Sequence, residues 1–154
     1  MVVNTAMWLV SSAAFFAWIF CVTLKKTFRT NAKYFGMLIV VHLSLSITAI
    51  ALKKHGIVVL HKDSAPWLRT YIGLFLKSYM ALVMMMLTSF FIALVSKGAP
   101  KMTHFHKTYN AANLHRNPLK FYLRRESGIV WGYRLFVMMG GVYVLWAIWF
   151  KLPF

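Results

Sequence analysis

The stretch YFGMLIVVHLSLSITAIAL, residues Tyr34–Leu52, decides the fold. Its 19 residues carry no formal charge, and as a helix rising ~1.5 Å per residue they reach roughly 28 Å, close to the ~30 Å of a hydrocarbon core. Lys33 stands before it and Lys53 and Lys54 after it, so the apolar run ends sharply on both sides. Three more blocks of this kind follow outward. Val2 to Leu24 has no charge and then meets Lys25, Lys26, Arg29 and Lys33. A third helix is expected to start near Ser64, a capping residue, with Pro66 in its first turn, and to run to Ser96. Ser78 to Val95 gives it 18 uncharged residues, roughly 27 Å, beyond Lys77. The fourth block, Ile129 to Phe150, carries Arg134 early and leaves 16 uncharged residues, roughly 24 Å, before Lys151.

The pattern predicts an all-α integral membrane protein of one domain, with spans at about 2–24, 34–52, 70–96 and 129–150. Composition agrees: 60% of the residues are hydrophobic and 13% charged, whereas soluble domains run near half apolar and about a quarter charged. No repeat, low-complexity tract or Gly/Ser linker marks a second domain. The opening MVVNTAMWLV lacks the basic leader of a secretory signal and the Arg/Ser richness of a transit peptide, so the first block is expected to be a retained span.

Eighteen Lys and Arg face only two acids, Asp63 and Glu126, for a formal net charge of +16. A nucleic-acid partner is not expected, because these charges flank membrane segments and form no soluble basic face. Anionic phospholipid such as cardiolipin, and acidic neighbouring subunits, fit the placement better. The contacts are assigned to Lys25, Lys26, Arg29, Lys33, Lys101, Lys107, Arg116, Lys120, Arg124 and Arg125. The first and third loops, 25–33 and 97–128, together hold eleven basic residues against five in the outer loop 53–69 and at Lys151. That bias predicts both termini outside and loops one and three inside. Before the last span, Asn117 and Pro118 are expected to start a short amphipathic helix in the headgroup layer, with Leu119, Tyr122 and Leu123 on one face and Lys120 and Arg124 elsewhere.

His42 is the leading candidate site residue. It lies eight residues, roughly 12 Å, beyond Tyr34, which places it close to the bilayer midplane. A neutral imidazole there could ligate a haem b iron or line a quinone pocket, with Ser46 one turn on. The preferred account is a histidine hydrogen-bonded to a neighbouring helix. His104, His106 and His115 make a short cluster, but no Cys, Asp or Glu accompanies them and the adjacent Lys101 and Lys107 repel cations, so no metal is expected. Met84, Met85 and Met86 point about 100° apart on a helix and cannot converge on one ion; they, Met80 and the Met138–Met139 pair read as packing residues.

Lys77 and Arg134 are expected to snorkel to opposite faces. Ala13 with Ala17, and Gly140 with Gly141, mark faces where helices can approach closely, and Trp8, Trp67, Trp131, Trp146 and Trp149 suit interfacial belts. The lone Cys21 excludes an internal disulfide or a thiolate cluster from this chain. With the two carboxylates on opposite sides, and neither a nucleophile beside a base nor a phosphate-cradling glycine loop, no enzymatic activity is expected.

The sequence therefore points to a non-catalytic accessory subunit of a larger membrane complex, without a cofactor of its own. A respiratory-type assembly of the mitochondrial inner membrane is favoured slightly over one of a bacterial plasma membrane. The alternatives are an electron-transfer anchor using His42 and a small transporter.

Overall fold

A computed structural model describes residues 2–55 and 66–153. Lys62, Asp63, the Ser64 cap and most of the outer loop lie outside the described residues. Four helices are long and apolar enough to cross a membrane, and no strand occurs among the described residues. α1 (Val2–Trp18) passes into one π-helical turn, Ile19–Thr23. α2 (Phe28–Lys54), α3 (Pro66–Tyr109) and α4 (Leu119–Phe150) follow, with a single 3₁₀ turn, Ala111–Asn113, between the last two.

The helices outrun the apolar blocks because hydropathy marks the part that lipid can cover, whereas Lys, Met, His and Ala go on favouring helix past that point. α3 has 44 residues and α4 has 32, roughly 66 and 48 Å. Both extend past the apolar blocks on the side of residues 97–128, so most of that segment, read as a basic loop, is a helical hairpin. Residues 119–128, where a separate short helix is expected, are the first turns of α4 and run unbroken into its span. Pro118 occupies the cap position, one residue later than expected.

α1, α3 and α4 share the core, made of Phe15, Ile19, Ala81, Ile92, Met138 and Leu145. α4 meets both neighbours at Gly141, where a Cβ would lie 2.6 Å from Phe15 Cζ and 3.2 Å from Thr88 Cγ2. Glycine at this position lets the Phe15 ring approach the α4 backbone closely. α2 stands at the edge. It leans on α3 through Phe35 stacked on Phe90 at 4.4 Å, and none of its apolar window is buried.

Two lysines of α3 define the depth of the bundle. Lys77 Nζ donates to the Trp149 carbonyl at 3.2 Å, and Lys97 Nζ to the Leu24 carbonyl at 2.9 Å. Each cation meets the carbonyl end of a neighbouring helix, where unpaired C=O groups and the macrodipole concentrate negative charge. Such helix ends are costly in hydrocarbon, which makes the two lysines candidate markers of the membrane boundaries. They are 20 residues apart, roughly 30 Å, the thickness of the hydrocarbon core. Lys77 is thus not snorkelling: it is 8% exposed and turned inward to close α4.

Candidate functional site

The polar groups between helices are organised by α3. Ser89, Ser96 and Thr103 recur every seven residues, so they fall on one stripe of the helix, and all three are buried. Ser89 Oγ accepts from Trp18 Nε1 at 3.1 Å and also bonds Thr23. Ser96 Oγ accepts from Arg134 Nε at 2.8 Å, and the Thr103 hydroxyl donates to Glu126 Oε2 at 2.6 Å. Four residues of other helices, Trp18, Thr23, Arg134 and Glu126, are thereby keyed to one face.

The π turn ending α1 belongs to the same construction. Leu24 N–H reaches back five residues to Ile19 O at 3.0 Å, which turns Thr23 inward to Ser89. The carbonyls this end leaves open are taken by Asn31 Nδ2, 3.1 Å from Thr23 O, and by Lys97. Thr27 then caps α2, its hydroxyl accepting from Thr30 N–H at 3.2 Å. Pro100 lies inside α3 and cannot donate to the Ser96 carbonyl, which loosens the helix just past the boundary that Lys97 marks.

His42 Nδ1 is 2.5 Å from Tyr79 Oη, with the two rings stacked at 5.7 Å and 11°. Tyr79 is two residues from Lys77, so packing on α3 sets His42 level with the start of that helix's uncharged stretch, roughly 12 Å from its middle. The midplane depth inferred from the sequence assumes that Tyr34–Leu52 is centred in the bilayer. Packing of α2 on α3 sets a different register, with Phe35 against Phe90 and His42 against Tyr79. The imidazole is exposed, and with Nδ1 held by Tyr79 its Nε2 remains open.

The basic residues expected to meet lipid or partners, Lys25, Lys26, Arg29, Lys33, Lys101, Lys107, Arg116, Lys120, Arg124 and Arg125, are all exposed. They do not converge on a single pocket: six are spread along the hairpin beyond Lys97 and four lie at the α1–α2 corner. Of the four small residues, Gly141 lies at the three-helix contact, while Gly140 has nothing within 4 Å of a Cβ and Ala13 and Ala17 are exposed on this chain. Trp149, expected in an aromatic belt, is buried instead, because its Nε1 donates to Ser11 Oγ at 3.0 Å and ties α4 to α1. Met138 packs in the core and Met139 faces outward.

His106 is occupied by Asn110 Nδ2 at 3.3 Å, and no group of three His, Cys, Asp or Glu among the described residues could hold a metal ion. Tyr79, the hydroxyl stripe and the two helix-closing lysines escaped the sequence reading. The seven-residue recurrence of Ser89, Ser96 and Thr103 was the signal that could have found the stripe. No protein-family model, characterised protein or solved structure matches this chain.

Proposed function

We propose that the chain is a non-catalytic accessory subunit of a larger membrane complex, held by its helices and by contacts of its basic hairpin with anionic phospholipid and acidic neighbours. One observation carries this reading. α4 stops at Phe150, level with Lys77, whereas α2 continues twelve residues past His42 and α3 begins eleven residues before Lys77. Both extend roughly 16–18 Å further, and there Leu43, Ile47, Ile50, Tyr71 and Phe75 are exposed. Apolar side chains carried past the bilayer boundary need a protein to cover them. In this proposal both termini are outside, the first turns of α4 cross the headgroup layer, and the host is an energy-transducing assembly, of the mitochondrial inner membrane before a bacterial plasma membrane.

The test is a photo-crosslinking residue at position 47 or 50 in the native membrane, followed by purification in mild detergent. A discrete protein adduct and a co-purifying complex are expected. Lipid-only adducts and recovery of a folded lone monomer would refute the reading.

His42 supports a second reading, an electron-transfer anchor. Tyr79 fixes one ring nitrogen and orients the other, as the outer partners of metal-bound histidines do. A haem b band in reduced-minus-oxidised spectra of the purified complex, lost in His42→Ala, would favour it; the same spectrum in both would end it.

A further inference from the structure

Between the extensions of α3 and α4 lies an open cleft of about 490 Å³, lined in part by Pro100, Arg124, Glu126, Ser127, Trp131 and Arg134. It holds two guanidinium groups and a carboxylate that form no ion pair with one another. The structure keeps them apart. Arg134 gives Nε to Ser96 and lies over the Trp131 ring at 5.7 Å, which leaves its terminal amino groups open. Glu126 takes the Thr103 hydroxyl on Oε2, which leaves Oε1 open. Ser96 and Thr103 are two rungs of one stripe, seven residues and so roughly 10 Å apart. Opposite charges that line one cleft at a fixed separation suit a ligand carrying both signs.

We infer that this cleft binds the headgroup of an ethanolamine-type phospholipid, its phosphodiester on Arg134 and Arg124 and its primary ammonium on Glu126. The cleft sets a cation anchored on the Ser96 rung against a carboxylate anchored on the Thr103 rung, and a phosphodiester joined to an ammonium by a short linker carries the complementary charges. Depth agrees, because Ser96 precedes Lys97, the boundary residue, and Trp131 stands where an indole favours the headgroup layer. A choline headgroup has no N–H to give Glu126. A glycerol headgroup sets the carboxylate near a phosphate with no cation between them. The inference concerns the same hairpin that the subunit reading sets against phospholipid, but the observation that carries that reading lies at the opposite end of the bundle.

The test is native mass spectrometry of the purified full chain, offered equal amounts of phosphatidylethanolamine, phosphatidylcholine and phosphatidylglycerol with identical acyl chains. Wild type is expected to retain the ethanolamine lipid about fivefold over each of the others, the worth of one partly screened ion pair. Glu126→Gln keeps an acceptor for Thr103 and is expected to erase the preference over phosphatidylglycerol. Arg124→Gln should lower both lipids together. Equal retention of the three lipids by wild type, or a preference that survives Glu126→Gln, overturns the inference. Glycerophosphoethanolamine at equimolar concentration should leave the lipid bound; displacement would assign the cleft to a soluble phosphoamine instead.

Discussion

Adding one methyl group at Gly141 should cost stability that the same change one residue earlier does not. A Cβ there would stand 2.6 Å from Phe15 Cζ, 3.0 Å from Cε1 and 3.2 Å from Thr88 Cγ2. Phe15 is 0% exposed, so its ring has no free surface to swing into, and the clash must be met by moving α1 away from α4. Overpacking of this kind costs ~1–3 kcal/mol. Alanine also favours helix over glycine by ~1 kcal/mol, which partly offsets the clash at Gly141 and acts alone at Gly140, where a Cβ meets nothing within 4 Å. The helix gain is common to both variants and cancels between them. Gly141→Ala should therefore be less stable than Gly140→Ala by ~1–3 kcal/mol.

Steric trapping or SDS titration in defined bicelles measures that difference. Phe15→Leu removes the ring atoms nearest the new methyl, so combining it with Gly141→Ala should lose less than the sum of the single changes, by ~1 kcal/mol. Equal stabilities for the two alanine variants, or strict additivity in the cycle, would refute the close approach of α1 to α4 at this point.

Lys77→Met keeps the length of the side chain but leaves the Trp149 carbonyl without its cationic donor; a loss of ~1.5–3 kcal/mol is expected in the same titration, partly restored by Lys77→Arg. Ser89→Ala strands Trp18 Nε1 and the fully buried Thr23 hydroxyl, and should cost ~1 kcal/mol, within the range of interhelical hydrogen bonds in lipid. Phe90→Ala removes the ring that Phe35 stacks on and Phe28 touches at 6.0 Å. Faster hydrogen exchange in α2, with α1 and α4 unchanged, is the expected result.

How far the sequence reveals this architecture follows from which forces act locally. Four helices long and apolar enough to cross a membrane are legible because hydrocarbon demands an uncharged run of sufficient length, and Ser78–Val95 or Tyr34–Leu52 supplies one without help from any neighbour. Gly141 and Gly140 are alike in sequence; only the angle of α4 to α1 decides which of them Phe15 covers. Lys77 shows the same limit more sharply. Its stem is long enough to snorkel, and nothing local tells it that the carbonyl end of α4, 72 residues away, is nearer than the lipid surface. His42 shows a third limit. Its depth depends on the sliding register of α2 against α3, which is set by Phe35, Phe90 and Tyr79 and not by the ends of the apolar run.

These three cases share a cause that bears on what the protein can do. Within lipid no hydrophobic force drives helix against helix, so close approach and buried polar bonds must supply the specificity. In this chain α3 carries nearly all of it: two lysines close the ends of α1 and α4, and three hydroxyls join Trp18 and Thr23, Arg134 and Glu126. α2 receives the Asn31 corner, Phe28 and Phe35 against Phe90, Tyr34 against Trp18, and Tyr79. These contacts lie along its first half and end at His42. Its far half leaves the bundle with apolar side chains exposed. The helix at the edge of the bundle therefore also carries the uncovered surface, as expected where α2 completes its packing against another protein.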